Sequence, residues 1–119
     1  MEFLNLSSNE IKDLLPLRYL IKIQFLNLSC NQIKLLDGLE LLENLKTLNL
    51  AGNSISKIEE FFKLKNLKNL TQLKLSEVKS DLLTTGMPSI EYTNPICKNK
   101  NYTKEIFNIF TNLEVVDGK

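Results

Sequence analysis

Histidine and tryptophan are absent from this sequence, and its four glycines are scattered. Without histidine there is neither a Ser-His-Asp nor a Cys-His catalytic arrangement. There is no glycine-rich phosphate loop, and no cluster of side chains has the spacing of metal ligands. The only adjacent carboxylates are Glu59 and Glu60, which we expect on a solvated turn. The sequence therefore predicts a chain with no catalytic residues, no metal, no cofactor and no small-molecule substrate.

A strong charge of either sign is also lacking. The 15 basic residues nearly balance the 14 acidic ones, and a net charge of +1 gives little attraction to nucleic acid or anionic lipid. Arg18 is the only arginine, although arginine is the residue that makes bidentate contacts with phosphate and guanine. No apolar run approaches the roughly 18 residues that span a membrane, and the first residues do not resemble a signal peptide. We therefore predict neither a nucleic-acid partner nor membrane insertion.

Cysteine is scarce, with Cys30 and Cys97 far apart in the sequence. Two cysteines do not make the disulfide framework that is typical of a small secreted domain. We therefore expect both thiols to be reduced and the protein to be intracellular.

One pattern occurs three times at a constant interval of 22 residues. It reads apolar-x-x-Leu-x-Leu-x-x-Asn-x-Ile, and its copies begin at Met1, Ile23 and Leu45. A fourth copy begins at Leu70, 25 residues further on, but has Val78 where the asparagine is expected. This pattern is the leucine-rich repeat template, whose units stack into a solenoid. The predicted fold class is α/β, a leucine-rich repeat solenoid with a parallel sheet on the concave face and 3₁₀ or helical turns on the convex face.

The positions of the pattern, which we number as slots one to eleven, have distinct roles. Leucines in slots four and six alternate with polar neighbours, as in a short strand with one buried face. The asparagines in slot nine can bond backbone groups that the turn after the strand leaves unpaired. On the return path, apolar residues recur at every third position, which favours 3₁₀ turns. One such series is Ile58, Phe61, Leu64, Leu67 and Leu70.

We predict a single domain over residues 1–119. Its repeats lie near 1–22, 23–44 and 45–69, followed by an irregular repeat with an insertion at 70–93 and a carboxyl-terminal cap at 94–119. A cap is needed because the last repeat of a solenoid otherwise exposes its core. In the cap we predict a covering helix that Asn101 caps, followed by one further strand at 113–116. The apolar residues of that helix are Tyr102, Ile106, Ile109 and Phe110.

Residues 78–93 break the register of the fourth repeat. If these 16 residues are set aside, Asn94 falls three positions after Leu75, where the repeat asparagine belongs. The repeat is therefore expected to resume at Asn94.

Two interpretations of residues 78–93 stay open. One is an inserted loop, which Gly86 and Pro88 favour. The other is a short extra strand, because Met87-x-x-Ile90-x-Tyr92 repeats the spacing of slots one, four and six. We favour a loop or a partial strand over a full fifth repeat.

Several stretches resemble the acidic leucine-rich nuclear phosphoprotein family. They are residues 50–58 (Leu-Ala-Gly-Asn-Ser-Ile-Ser-Lys-Ile), residues 62–70 with the 25-residue step, and the cap at 102–118. The resemblance covers nearly the whole chain. It implies a non-catalytic protein–protein interaction module of the nucleus or cytoplasm, associated with chromatin or with a phosphatase.

Other leucine-rich repeat proteins have similar caps. Asn94-Pro95-Ile96-Cys97 is equally similar to the caps of protein phosphatase type 1 regulators, axonemal adaptors and the leucine-rich protein of a spliceosomal particle. Each of these adaptors is an alternative to the nuclear phosphoprotein type.

The sequence departs from the nuclear phosphoprotein pattern at both ends. That family has a long acidic tail after the cap, whereas this sequence stops at Lys119, so histone binding through a tail is not carried over. The family also has a covering element before the first repeat, whereas this sequence opens at slot one. Either residues are missing or the first strand has a bare edge. A bare edge invites pairing with another chain, so we expect that self-association can occur there.

A protein partner is predicted to bind the concave face, where slots three, five and seven point outward. The predicted partner-binding residues, from slots three and five, are Phe3, Asn5, Phe25, Asn27, Thr47, Asn49, Gln72 and Lys74. Slot seven holds Ser7, Ser29, Ala51 and Ser76.

Phe3 and Phe25 are expected to stack side by side, because neighbouring strands lie about 4.8 Å apart. Exposed aromatic pairs are favoured anchors for a partner, but the two rings could instead support each other or pack on a missing element. Asn5, Asn27 and Asn49 form a second row. Their amides could serve a partner, or bond each other or water.

Overall fold

The computed structural model describes residues 2–79 and 90–118 and contains the predicted parallel sheet. In chain order, the strands are β1 (Phe3–Asn5), β2 (Phe25–Asn27), β3 (Thr47–Asn49), β4 (Gln72–Lys74), β5 (Glu77–Lys79), β6 (Ile90–Tyr92) and β7 (Val115–Val116). Five of them form one parallel sheet in the order β1-β2-β3-β4-β7. Identical slots face each other, since Leu4 pairs with Leu26, Leu26 with Leu48, and Leu48 with Leu73. The predicted solenoid topology is therefore confirmed.

The leucines of slots four and six form the interior of the stack. Each of the six between Leu26 and Leu75 is at most 2% exposed. Burial of a leucine side chain contributes about 1.5–3 kcal/mol, so these layers are a main source of stability. Leu4 and Leu6 are only half-buried, because β1 is an edge strand of the sheet.

The slot-nine asparagines join each repeat to the one before it. The Asn31 Oδ1 atom accepts hydrogen bonds from the Asn9 and Ile11 N–H groups, both at 2.9 Å. Its Nδ2 group donates to the carbonyls of Leu6 at 3.0 Å and Leu28 at 2.9 Å. One buried amide therefore satisfies backbone groups of two successive turns, as the sequence predicted.

Asn94 makes the same bonds after the insertion. Its Nδ2 group donates to the carbonyls of Leu50 at 2.8 Å and Leu75 at 3.0 Å, and its Oδ1 atom accepts from the Ile55 N–H at 3.0 Å. The repeat pattern therefore resumes at Asn94.

Strands β5 and β6 lie outside the parallel sheet. Strands β5 and β6 pair antiparallel, with Val78 opposite Glu91. Met87, Gly86 and Pro88 lie outside the described residues. Since β6 pairs with β5 and not with the parallel sheet, it is not the strand of a fifth repeat.

The convex side carries short turns, in agreement with the three-residue apolar spacing. The 3₁₀ helices are Leu15–Tyr19, Ile58–Leu64 and Pro95–Lys98. In the second repeat the return path forms turns at Gly38, whose φ is +112°. A Cβ atom at this position would lie 2.3 Å from the Leu14 carbonyl oxygen, so the close approach of two repeats requires glycine there.

Glu60 is buried, and the prediction that it lies on a solvated turn is wrong. Its side chain accepts hydrogen bonds from the Leu36 N–H at 2.9 Å and from Lys63 at 2.8 Å. Lys63 also lies 3.0 Å from the Asp37 carboxylate. Hydrogen bonding to Glu60 raises the pKa of the Lys63 ammonium. The carboxylate is buried because it satisfies a backbone donor of the preceding repeat, while Glu59 stays exposed.

The cap closes the far end of the core. Helix α1 (Tyr102–Ile109) buries Ile106 completely, and β7 adds the buried Val116 to the sheet. The Asn101 side chain does not cap the helix, contrary to the prediction; instead, the Asn99 Oδ1 atom accepts from the Asn101 N–H at 3.0 Å. Within the described ranges, no helix is long and apolar enough to cross a membrane.

Asp117 ties the cap to the fourth repeat. Its carboxylate accepts from the N–H groups of Leu75 at 2.6 Å and Ser76 at 2.9 Å, and from the Tyr102 hydroxyl at 2.5 Å. Burial and the hydrogen bond to the carboxylate raise the pKa of the Tyr102 phenol. Burial also raises the pKa of the neighbouring Cys97 thiol. Neither Cys30 nor Cys97 forms a disulfide in the structure.

Candidate partner-binding surface

The eight predicted binding residues form two rows across four strands, because the register aligns equal slots. The slot-three row is Phe3, Phe25, Thr47 and Gln72, and the slot-five row is Asn5, Asn27, Asn49 and Lys74. All eight side chains are exposed or half-buried. The structure therefore brings the predicted residues together on one face.

Two aromatic rings lie at the β1 end of the slot-three row. The ring centroids of Phe3 and Phe25 are 6.2 Å apart, with an interplanar angle of 29°. Phe3 is 66% exposed, while Phe25 is half-buried. The rings support each other, but their contact leaves most of Phe3 in solvent, where a partner can reach it.

The asparagines of the slot-five row do not bond one another. Each Oδ1 atom accepts from a backbone N–H two residues ahead, so that Asn5 bonds Ser7 and Asn27 bonds Ser29, both at 3.0 Å. The Asn49 Oδ1 atom accepts the equivalent hydrogen bond from the Ala51 N–H at 3.0 Å. The Nδ2 groups donate to none of the described residues. Because the oxygens are fixed to the backbone, the amide donors form a column along the face.

Slot seven is buried in the two inner repeats, contrary to the prediction, whereas Ser7 and Ser76 are half-buried. Ser29 and Ala51 are fully buried. The chain turns inward directly after them, with φ of +58° at Cys30 and +73° at Gly52. Tyr92 of β6 packs beside Gly52, where an added Cβ atom would lie 3.2 Å from the Tyr92 Cβ and the Cys30 Sγ atoms. In the two inner repeats, the face available to a partner is therefore limited to slots three and five.

Lys74 is the only charge in the two rows. It lies 3.7 Å from the Glu77 carboxylate, and its side chain is 45% exposed. An exposed pair of this kind contributes about 0–1 kcal/mol, so Lys74 can exchange Glu77 for an acidic group of a partner at little cost.

A second row of asparagines was missed by the sequence analysis. Asn44, Asn69 and Asn112 each precede a slot-one leucine. Their Nδ2 groups donate to a carbonyl of the preceding repeat, at 3.0, 2.9 and 2.9 Å respectively. The Asn-Leu pair that recurs at the start of three repeats is the signal that would have revealed this row. Its role is to join successive repeats on the side away from slot nine.

The described residues offer no group of acidic, cysteine or histidine side chains that could hold a metal ion. An open depression of about 690 Å³ lies beside the second asparagine row, between Lys46, Lys68 and Glu114. It contains none of the eight residues of the two concave rows. We therefore regard the rows as the candidate site, because partners of solenoids bind extended surfaces and not pockets.

The structure has parallel strands in equal register, buried leucines in slots four and six, and slot-nine asparagines that bond the turns of successive repeats. These features together define a leucine-rich repeat solenoid. A family model described as Leucine Rich Repeat matches residues 44–64. A chain of the SNF/U2A′ complex of Drosophila melanogaster is similar over 98% of this chain and 72% of its own length, with a TM-score of 0.64 and 20% identity. Internalin C2 of Listeria monocytogenes is similar over 62% of this chain and 41% of its own length, with a TM-score of 0.51 and 26% identity. A search of curated proteins finds no significant match.

Proposed function

We propose that this chain is a non-catalytic protein–protein interaction module whose partner binds the two concave rows. The observation that carries this proposal is the stacked pair of Phe3 and Phe25, with one ring 66% exposed, beside a column of asparagine amide donors. Aromatic side chains are enriched among the residues that dominate binding energy.

The chemistry of the rows limits the partner. An apolar group of the partner would contact the Phe3 ring, and carbonyl or carboxylate oxygens would accept from the Nδ2 groups of Asn5, Asn27 and Asn49. Lys74 would pair with an acidic group. The partner is therefore expected to present an apolar group next to a short row of carbonyl or carboxylate oxygens.

The family resemblance supports a nuclear or cytoplasmic regulator of the acidic leucine-rich nuclear phosphoprotein type, associated with chromatin or a phosphatase. A spliceosomal adaptor is the second candidate. It is favoured by the similarity of 98% of this chain to a chain of the SNF/U2A′ complex, although at 20% identity the likeness concerns the fold. A phosphatase type 1 regulator or an axonemal adaptor rests only on the cap resemblance at 94–97.

Affinity purification with matched variants tests the proposal. The binding variant combines Phe3→Ala with Phe25→Ala, and the control combines Leu41→Ala with Phe62→Ala, which lie outside the rows and are 52% and 50% exposed. A partner of the concave face should be recovered with the wild type and the control but lost with the binding variant. Equal recovery by all three proteins would contradict the proposal.

The identity of the recovered protein distinguishes the classes. A chromatin protein supports the first candidate, a spliceosomal protein the second, and a phosphatase catalytic subunit is compatible with either phosphatase-linked class. Self-association at the edge of β1 is a separate hypothesis, and partner binding on the concave rows does not depend on it.

A further inference from the structure

The concave rows are bordered by packed residues on the side where the inner strands end. In the two inner repeats, the slot-seven residues Ser29 and Ala51 are buried, and Tyr92 of β6 packs beside Gly52 directly after them. The β5–β6 pair therefore obstructs a partner chain that would extend from the rows on this side.

The side where β3 and β4 begin is open. Lys46, directly before Thr47 of the slot-three row, is exposed, and Thr71, directly before Gln72 of that row, is half-buried. Both line the open depression of about 690 Å³, which lies between the loops that lead into β3, β4 and β7. None of these loops belongs to the first repeat. The depression therefore begins one residue from the slot-three row.

Hydrogen bonds between repeats hold the loops around the depression in place. The Asn69 Nδ2 group donates to the Glu43 carbonyl at 2.9 Å, and the Asn112 Nδ2 group donates to the Lys68 carbonyl at 2.9 Å. A surface that is already ordered loses little conformational freedom when a partner binds, which favours affinity.

Two lysines determine the charge that this depression attracts. Lys46 and Lys68 are exposed, and neither ammonium group forms an ion pair with the described residues. Glu114 is the only acidic residue that lines the depression, and it pairs with neither lysine. Because both ammonium groups are exposed and unpaired, they can bind carboxylates without breaking an existing ion pair.

We propose that the partner of the concave rows continues into this depression with an acidic segment, whose carboxylates pair with Lys46 and Lys68. The inference rests on the proposed function, because it adds a second contact to the same partner. Complementary charges of this kind raise the rate of association and select among partners.

Apolar and positively charged groups lie at different ends of the combined surface. The Phe3–Phe25 pair lies on β1 and β2, whereas Lys74 lies on β4 and Lys46 directly precedes β3. Three strand spacings, about 14 Å, separate β1 from β4. The partner is therefore expected to carry its apolar group and its acidic segment about that far apart.

An NMR titration with the peptide hexaglutamate tests the depression without the partner. We expect the backbone amide signals of Lys46, Thr71 and Asn112 to shift most, and the binding to weaken as salt screens the charges. Hexauridylate, which has phosphates in place of carboxylates, is the second probe. Tighter binding of hexauridylate, or hexaglutamate shifts confined to other parts of the chain, would overturn the proposal.

Charge reversal tests the two lysines. Lys46→Glu with Lys68→Glu should weaken the binding of hexaglutamate by at least about fivefold, because two attractive charges become repulsive. Lys12→Glu with Lys34→Glu is the matched control, since both residues are exposed and line another open depression, of about 640 Å³, that contains no residue of slots two to seven. Equal weakening by the two variants would mean that the peptide responds only to net charge, and would contradict the proposal.

Two milder changes keep the test valid if the reversed lysines destabilise the fold. Lys46→Gln with Lys68→Gln should weaken the binding of hexaglutamate by about two- to threefold, because the attraction is lost without a new repulsion. Glu114→Gln should strengthen it by about twofold, because the opposing charge in the depression is removed. Unchanged affinity in both variants would refute the role of these charges.

Calorimetry with the partner recovered by affinity purification separates this inference from the proposed function. Lys46→Glu with Lys68→Glu should weaken partner binding by at least about tenfold relative to the Lys12 and Lys34 control. If the Phe3 and Phe25 variant loses the partner while the Lys46 and Lys68 variant binds as tightly as the control, the inference fails and the proposed function stands. If neither variant weakens binding, both fail.

Discussion

At the scale of single residues, Ser29 is the side chain whose position departs most from its expected role. Its hydroxyl is fully buried, and its Oγ atom has no hydrogen-bond partner in the described part of the chain. A buried polar group without a partner costs free energy, and the neighbouring repeat has Ala51 in the same slot.

We predict that Ser29→Ala raises the free energy of unfolding by about 1 kcal/mol, because it removes a buried hydroxyl that makes no hydrogen bond. Urea denaturation of the variant and the wild type measures the change. Ser56→Ala, at an exposed position, serves as the control and should leave stability unchanged. A clear loss of stability in Ser29→Ala would mean that the hydroxyl has a bonding role.

Tyr102 makes stability sensitive to alkaline pH. The native state keeps the phenolic proton to a higher pH than the unfolded chain, since its pKa is raised. Above about pH 10 the unfolded chain therefore binds fewer protons than the native one, and the free energy of unfolding falls as pH rises. Cys97 and Lys63, whose pKa values are also raised, act in the same direction.

We predict that Tyr102→Phe is less stable than the wild type at neutral pH by about 1–2 kcal/mol, since the bond to Asp117 is lost. Above about pH 10 its stability should fall less steeply than that of the wild type, because one of the three titrating groups is gone. Chemical denaturation at several pH values measures both effects. Parallel pH profiles for the two proteins would contradict this role of the phenol.

At the scale of elements, the convex turn of residues 58–64 depends on Glu60 as an acceptor for the preceding repeat. Glu60→Gln keeps an oxygen for the Leu36 N–H and removes only the negative charge beside Lys63, which retains the Asp37 carboxylate at 3.0 Å as its partner. Glu60→Ala leaves the backbone donor without a partner.

We therefore predict that Glu60→Ala lowers the free energy of unfolding by about 1–3 kcal/mol, whereas Glu60→Gln lowers it by less than about 1 kcal/mol. Glu59→Ala is the control at the adjacent exposed carboxylate. Thermal or urea unfolding separates the three. If Glu60→Gln and Glu60→Ala were equally destabilising, the ion pair with Lys63, and not the hydrogen bond from the Leu36 N–H, would stabilise the turn.

The antiparallel pair of β5 and β6 is the element that sequence reasoning described least well. Spacing alone could identify where the repeat resumes, because Asn94 must meet the same backbone groups as Asn31. It could not predict that β6 pairs antiparallel with β5, because Met87-x-x-Ile90-x-Tyr92 has the spacing of a parallel repeat strand. The contact of Tyr92 with Gly52 is set by tertiary packing between distant repeats.

At the scale of the whole molecule, the solenoid was predictable because each repeat follows the same local rule. Alternating leucines fix the buried face, and the constant 22-residue step fixes the register, so the two concave rows follow directly. Burial of Glu60, Ser29 and Ala51 was not predictable, because it depends on how one repeat turns against its neighbour. A periodic pattern specifies which residues align across the repeats, but it does not specify which residues of the turns are buried.

The central claim is that the aligned slots three and five form the partner-binding face. Isothermal titration calorimetry with the partner recovered by affinity purification tests it most directly. Phe3→Ala with Phe25→Ala should weaken binding by more than about 2 kcal/mol, roughly 30-fold, while Leu41→Ala with Phe62→Ala should change it by less than about 0.5 kcal/mol. Unchanged affinity in the phenylalanine variant would contradict the claim.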